Sequence, residues 1–235
     1  MKLDFKPGKG NKMHIYVDGE YSMTADCDFV FTCGFDNNSE ISEEELVALS
    51  EAVSFRRAFL KACDLLSYRD HSSRELLVKL RQKGYGDGAE QAVEKLIEDG
   101  YVDDERFARA YADELVRVKH YGTRRIVTEL MKKGIDASLA REIADETEVG
   151  EDEILIALKR KYGRCLETEK GVRRAINGLA AMGYGYAQIK QAIETVKEEA
   201  QTDDEYTKNC NDIIRLSEKS GRCRADACKA ERGRL

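Results

Sequence analysis

One turn recurs along this chain at almost constant spacing. Leu80-x-x-Lys83-Gly84-Tyr85, Leu130-x-x-Lys133-Gly134-Ile135 and Leu179-x-x-Met182-Gly183-Tyr184 stand 50 and then 49 residues apart. A leucine, three intervening residues, a glycine and an apolar residue are the ingredients of a helix that stops in a left-handed glycine cap. A steady period of this length marks a repeat architecture, in which each copy is one supersecondary unit that cannot bury its apolar face alone. The chain is therefore constrained to tandem units of short helices, and one thick globule is excluded.

Composition agrees with many thin elements. Of 235 residues, 36% are charged, a density that needs a large solvated surface, while 42% are apolar, too many for full disorder. Pro7 is the one proline, so glycine is left to punctuate the helices. The net charge of −6 is misleading: residues 1–53 alone carry 4 basic and 11 acidic side chains, and the rest of the chain is nearly neutral but densely charged. Such a balance leaves room for a basic face presented to a polyanion.

The opening residues hold Lys2, Lys6, Lys9 and Lys12 with no apolar stretch behind them, and the longest clean apolar run is Ile154–Leu158. A soluble, cytoplasmic, monomeric protein without a membrane partner is expected. Cysteines 27, 33, 63, 165, 210, 223 and 228 are odd in number, scattered and without a C-x-x-C pair, which favours reduced thiols. Cys210, Cys223 and Cys228 have no histidine near them, and no metal or other cofactor is expected.

Met13–Val17 and Tyr21–Met23 flank Asp18-Gly19, which predicts a small β-hairpin; Asp28–Phe35 reads as a further short strand. Ser42-Glu43-Glu44-Glu45 is a capping box ahead of Leu46, Leu49 and Val53, and Ser72-Ser73-Arg74-Glu75 is a second one ahead of Leu76, Leu77 and Leu80. Helical periods follow, each with a legible start at Asp103 or Asp104 and at Thr123, and stops at Gly84, Gly100, Gly134 and Gly183. The expected fold is mainly α: tandem three-helix, helix-turn-helix-like repeats forming an elongated curved rod behind a small N-terminal β-hairpin. The expected division is 1–53 for the hairpin and capping helix, 54–102, 103–149 and 150–200 for three repeats, and 201–235 for a helical extension and basic tail. Ile213, Ile214 and Leu216 prolong that extension, and the residues after them are expected to be largely disordered.

No enzyme is expected. His14, His71 and His120 lie in different elements without an i, i+4 partner, and no phosphate loop, G-x-S-x-G or H-E-x-x-H occurs. His71 and His120 read as exposed turn residues, and Asp103-Asp104-Glu105 as helix-capping carboxylates in preference to a metal motif. Basic clusters are the stronger signal. Arg69 and Arg74 flank the entry to the middle helix of the first repeat, Lys119, Arg124 and Arg125 that of the second, and Lys159, Arg160, Lys161, Arg164, Arg173 and Arg174 a related place in the third. These are either solvated helix faces paired with local carboxylates or a salt-sensitive track for a nucleoprotein or acidic partner.

Three long signatures in register carry a resemblance. They are Leu66-Ser67-Tyr68-Arg69-x-x-Ser72-x-x-Glu75-Leu76-x-x-Lys79-Leu80-x-x-Lys83-Gly84-Tyr85, then Gly100-Tyr101-Val102-Asp103-Asp104-Glu105-Arg106-Phe107-Ala108, then Gly122-x-Arg124-Arg125-Ile126-x-x-Glu129-Leu130-x-x-Lys133-Gly134-Ile135. In order and spacing they resemble the RecX family of recombination regulators over about residues 12–200. Ile15–Glu20 and Ser42–Leu46 resemble the longer N-terminal version found in Gram-positive members. The resemblance implies an all-helical modulator that binds the RecA recombinase filament, usually in its groove, inhibits ATP hydrolysis and strand exchange, and makes weak contact with single- or double-stranded DNA. Ala180-Ala181-Met182 departs from the basic residues that family members often place before the glycine. A helix-turn-helix DNA-binding regulator without a recombinase partner is the competing reading, distinguished by tight, sequence-selective duplex binding.

Overall fold

The computed structural model describes residues 1–202; the features expected at Cys210, Ile213, Ile214, Leu216, Cys223, Cys228 and the basic tail lie outside the described residues. The chain divides into two compact units. The first comprises Met1–Glu114 and Ile126–Thr147, the second Leu115–Arg125 and the chain from Glu148 onward.

The first unit opens with β1 (Leu3–Pro7), β2 (Lys12–Val17) and β3 (Glu20–Asp26), an antiparallel sheet in sequence order with Leu3 opposite Val17 and Ile15 opposite Met23. Asp18 and Gly19 both take positive φ, 49° and 86°, as a tight hairpin turn requires. The hairpin is therefore as expected, whereas β1 is an addition. Its apolar residues Leu3 and Phe5 alternate with Lys2, Asp4 and Lys6, and Leu3 is fully buried with Ile15, Ala25, Val30, Ile41, Leu49 and Val53.

The strand expected at Asp28–Phe35 is instead α1 (Cys27–Thr32). Asp26 ends β3 and accepts from the Phe29 amide, which starts a helical turn, and Val30, not the alternating phenylalanines, is buried; Phe31 is 80% exposed. Ser42 then caps α2 (Glu43–Leu66) in a complete capping box with Glu45. α2 runs unbroken through 53/54: Leu49 and Val53 pack on the sheet, while Ala62 joins the helical core around Leu76, Leu80, Val93 and Leu96. α3 (Ser73–Gln82), α4 (Ala89–Glu98), part of α5 (Asp104–Lys119), most of α6 (Thr123–Lys132) and α7 (Ala137–Glu146) complete this unit.

The second unit holds the end of α5, the start of α6, α8 (Glu151–Tyr162), a 3-10 turn at Gly163–Cys165, α9 (Glu169–Ala181) and helical residues 186–202, here α10. Its core gathers Ile154, Leu158, Leu166, Leu179, Tyr184 and Ile189, with Tyr121 packed against it. No helix among the described residues is long and apolar enough to cross a membrane.

The recurring turn has one geometry. After α3, α6 and α9 the apolar residue's amide returns to the leucine carbonyl: Tyr85 N to Leu80 O (3.0 Å), Ile135 N to Leu130 O (3.2 Å) and Tyr184 N to Leu179 O (3.2 Å). The intervening glycines 84, 134 and 183 sit at φ 82°, 90° and 96°. With the glycine amides also donating to Arg81 O, Met131 O and Ala180 O, the cap satisfies the last carbonyls of each helix and turns the apolar residue back onto the core. α4 ends identically, with Tyr101 N to Leu96 O at 2.9 Å across Gly100, outside the period of 50 and 49 residues.

Candidate functional site

Each unit contains a junction in which the end of one middle helix meets the start of another, and the basic clusters flank these junctions. In the first unit the C-terminus of α6 meets the N-terminus of α3. Ser72, fully buried, accepts from the Glu75 amide (3.1 Å) and donates its hydroxyl to the Lys133 carbonyl. Gly134 lies so close that a Cβ there would stand 2.5 Å from Arg74 Cβ. Ser73 is held from the other side by Asp104, which accepts from its amide (2.7 Å) and its hydroxyl (2.6 Å).

Glu75 is the electrostatic centre of this junction. The expected second capping box forms by half only: Ser72 accepts from the Glu75 amide, but the Glu75 carboxylate is taken up by cations. Arg69 clamps it instead, Nη2 to Oε1 at 2.6 Å and Nη1 to Oε2 at 3.2 Å, with Lys133 Nζ 3.4 Å and Lys79 Nζ 3.7 Å from Oε1. Burial alone would raise the carboxyl's pKa, but the Arg69 hydrogen bonds and the fields of Lys133 and Arg69 bring it down to about 2. A charge-assisted fork of this kind supplies more than the amide of a capping box does.

His71 is buried at 4% exposure, which corrects the reading of an exposed turn residue: the α3 cap draws it inward along with Ser72. Its Nδ1 is 3.4 Å from Glu75 Oε2 and its Nε2 3.5 Å from Lys79 Nζ. Burial, then the positive charges of Arg69 and Lys79, lower its pKa against the opposing pull of Glu75. The folded state thus resists protonation, so stability is complete above the ordinary histidine value of 6.5 and declines as pH falls below it. His71→Phe is expected to flatten that decline between about pH 7 and 5, read from denaturant midpoints at each pH.

In the second unit the C-terminus of α9 meets the N-terminus of α6. Gly122 N donates to Met182 O (2.8 Å) and Arg124 N to Gly183 O (3.3 Å), so the free amides of one helix end donate to the free carbonyls of the other. The contact is backbone to backbone: a Cβ on Gly122 would lie 2.6 Å from Gly183 C, and one on Gly183 would lie 2.3 Å from Arg125 N. Tyr184 donates its hydroxyl to His120 O at 2.9 Å, and burial pushes its phenol pKa up. His120 is half-buried at φ 52°, another departure from the exposed-turn reading.

Around this second junction Lys119 ends α5 and is exposed, Arg124 is exposed in the first turn of α6, and Arg125 is half-buried with Cζ 5.5 Å from the Tyr121 ring centroid. Lys161 joins them through Met182, its Nζ 3.3 Å from the Met182 sulfur. The remaining cations are exposed at the end of α8 (Lys159, Arg160), in the 3-10 turn (Arg164) and along α9 (Arg173, Arg174). Lys159 pairs with Glu199 and Arg173 with Glu169, each at 2.6 Å. In the first unit Arg69 is committed to Glu75, whereas Arg74 is exposed with its stem against Gly134.

Sequence reasoning left Lys79, Lys132 and Lys133 out of the site, although Lys133 stands in the recurring turn; its Nζ also lies 5.3 Å from the Tyr111 ring centroid. The acidic run at the start of α5 is structural: Asp103 accepts from the Arg106 amide (2.9 Å), Asp104 holds Ser73, and Glu105 pairs with Arg109 (2.9 Å). Among the described residues no cluster of His, Cys, Asp and Glu is placed to hold a metal ion, and Cys27, Cys33, Cys63 and Cys165 are free thiols.

Residues 58–104 match the family model of the first three-helix domain of RecX, and residues 103–143 match that of the second. The chain is 26% identical over 189 residues to the regulatory protein RecX of Caldanaerobacter subterraneus, covering 80% of this chain and 95% of the relative. Every one of these matches is to RecX. The RecX of Bacillus velezensis is 27% identical over 87% of this chain and 79% of its own. A crystal structure of a regulatory protein RecX superposes with a TM-score of 0.62 at 20% identity, over 84% of this chain and 98% of that one. RecX from Lactobacillus salivarius superposes at 0.56 and 20% identity, over 62% and 98%. The two consecutive RecX models meet at 103–104, the start of α5, and together they span both helices of the Glu75 junction. The relatives are named regulatory proteins, and it is to these that the chain is similar.

Proposed function

We propose that the chain regulates the RecA recombinase by binding its nucleoprotein filament, chiefly inhibiting ATP hydrolysis and strand exchange, with weak, salt-sensitive DNA contact. The observation that carries this reading is the cation group Lys119, Arg124 and Lys161 gathered at a helix-end junction of a RecX-type unit. Cations fixed on a backbone-to-backbone contact lose little further entropy when they meet a polyanion. Weak contacts suffice, since several engagements along a filament raise the effective concentration of the next. Release of counterions makes such binding fall steeply with salt.

The test measures single-strand-DNA-stimulated ATP hydrolysis by the cognate RecA. Substoichiometric protein is expected to slow it; no effect across a wide concentration range would refute the reading. Lys119→Glu with Arg124→Glu is expected to weaken inhibition about tenfold without lowering the melting temperature, both side chains being exposed. Normal inhibition by that folded variant would assign these cations to a solvated face. Tight, sequence-selective duplex binding near physiological salt would instead favour the DNA-binding regulator.

A further inference from the structure

The cleft between α3 and the C-terminal turn of α6 encloses about 560 Å³. Its walls carry Arg74 and Lys79 from one side and Lys132 and Lys133 from the other, with Val78 and Met131 among them. Two carboxylates also line it, and both are already matched: Glu75 by Arg69, Lys79 and Lys133, and Glu129 by Lys132 at 3.0 Å. Arg74 makes no ion pair among the described residues. Val78 and Met131 remain 44% and 48% exposed, large apolar side chains standing beside cations.

We propose that this cleft is a docking site for an acidic amphipathic segment of a partner protein. Charge complementarity selects an acidic occupant, and the two uncovered apolar side chains select one that also brings apolar residues. A phosphodiester backbone satisfies the cations but leaves Val78 and Met131 wet. An acidic helix with an apolar face satisfies both demands, and the flexible methionine adapts to its side chains. The repeat comparison singles out this junction: Met131, Lys132 and Lys133 correspond to Ala180, Ala181 and Met182 at the end of α9, which offer no lysine wall.

The inference rests on the reading of the chain as a protein-binding regulator, but its assay needs no RecA. The full chain is titrated against a fluorescent peptide of Glu and Asp with leucines at i, i+3, i+4 and i+7, and binding is followed by anisotropy. A peptide of equal charge with serine for every leucine is expected to bind about tenfold more weakly. Val78→Ser with Met131→Ser is expected to cost about the same factor for the leucine peptide, and Lys132→Glu at least as much. Equal binding of the serine peptide, displacement by oligo-dT at equal concentration, or unaltered binding by the Val78/Met131 variant overturns the proposal. If these fail while RecA is still inhibited, the cleft assignment falls and the proposed function stands; if the cleft binds the peptide and RecA is unaffected, the reverse holds.

Discussion

Gly183→Ala is expected to destabilise the chain by about 3 kcal/mol, well beyond what the same methyl costs at Gly100 or Gly163. Two costs combine. At φ 96° an alanine is strained wherever space allows, at about 1–2 kcal/mol. Space does not allow it here, because the new Cβ meets Arg125 N at 2.3 Å and Gly122 O at 2.7 Å. Those atoms belong to the N-terminus of α6, which cannot retreat without losing the Gly122 N–Met182 O hydrogen bond. Gly100→Ala isolates the first cost, since its φ is 75° and nothing lies within 4 Å of the added methyl; it should lose only about 1 kcal/mol. Gly163, with helical φ −48° and open space, should tolerate alanine or gain slightly. Denaturant unfolding of the three variants ranks them; a Gly183 variant no worse than the Gly100 variant would show that the junction is not tightly packed.

The second large effect is expected at Glu75. Glu75→Gln keeps the shape and removes the charge that gathers Arg69, Lys79 and Lys133, and should cost about 1–2 kcal/mol near neutral pH. The lower end of the range for buried pairs applies because the cations reach water when released: the Arg69 side chain is 47% exposed. The folded pKa is depressed, from 4.5 to about 2, so this stabilisation is whole above 4.5 and lost as pH falls from there toward 2. The Gln variant should therefore show a flatter acid limb than the parent chain. Equal acid limbs, measured by denaturant midpoints from neutral to acid pH, would remove Glu75 from this role. The same variant takes a carboxylate out of the cleft between α3 and α6, so the leucine peptide is expected to bind it at least as well as the parent.

Local signals reported local structure faithfully. Ser42-x-x-Glu45 forms its capping box, Asp18-Gly19 turns the hairpin, and the left-handed glycines sit where the apolar periods stop. Misreadings arose wherever a distant residue took over a local group. Glu75 left its own helix cap because Arg69 and Lys133 offered a charged partner, and His71 followed Ser72 into the interior once the Lys133 carbonyl arrived there. The alternating phenylalanines after Asp28 have a strand's period, yet Asp26 caps a helix and the sheet buries Val30. β1 was hidden because five residues with two apolar side chains carry too little pattern to stand apart from a solvated lysine-rich end.

The candidate site divides in the same way. Its basic residues were visible as clusters beside each helix start, but their engagement was not. Arg69 and Arg74 are five residues apart in sequence, and the first is committed to Glu75 while the second is open at a cleft. Lys161 and Arg124 come from different helices and reach one junction through Met182 and Gly183 respectively. The sequence by itself determined the helical class, the spacing of the recurring turn and the chemistry of that turn, because a glycine cap is settled within six residues of backbone hydrogen bonding. It could not distinguish the out-of-register copy at Leu96–Tyr101, whose local geometry is the same. Which helix ends meet, which glycines are pressed backbone to backbone, and which cations remain available were decided by tertiary structure alone, since each depends on groups roughly 50 to 60 residues apart competing for the same carbonyl or carboxylate.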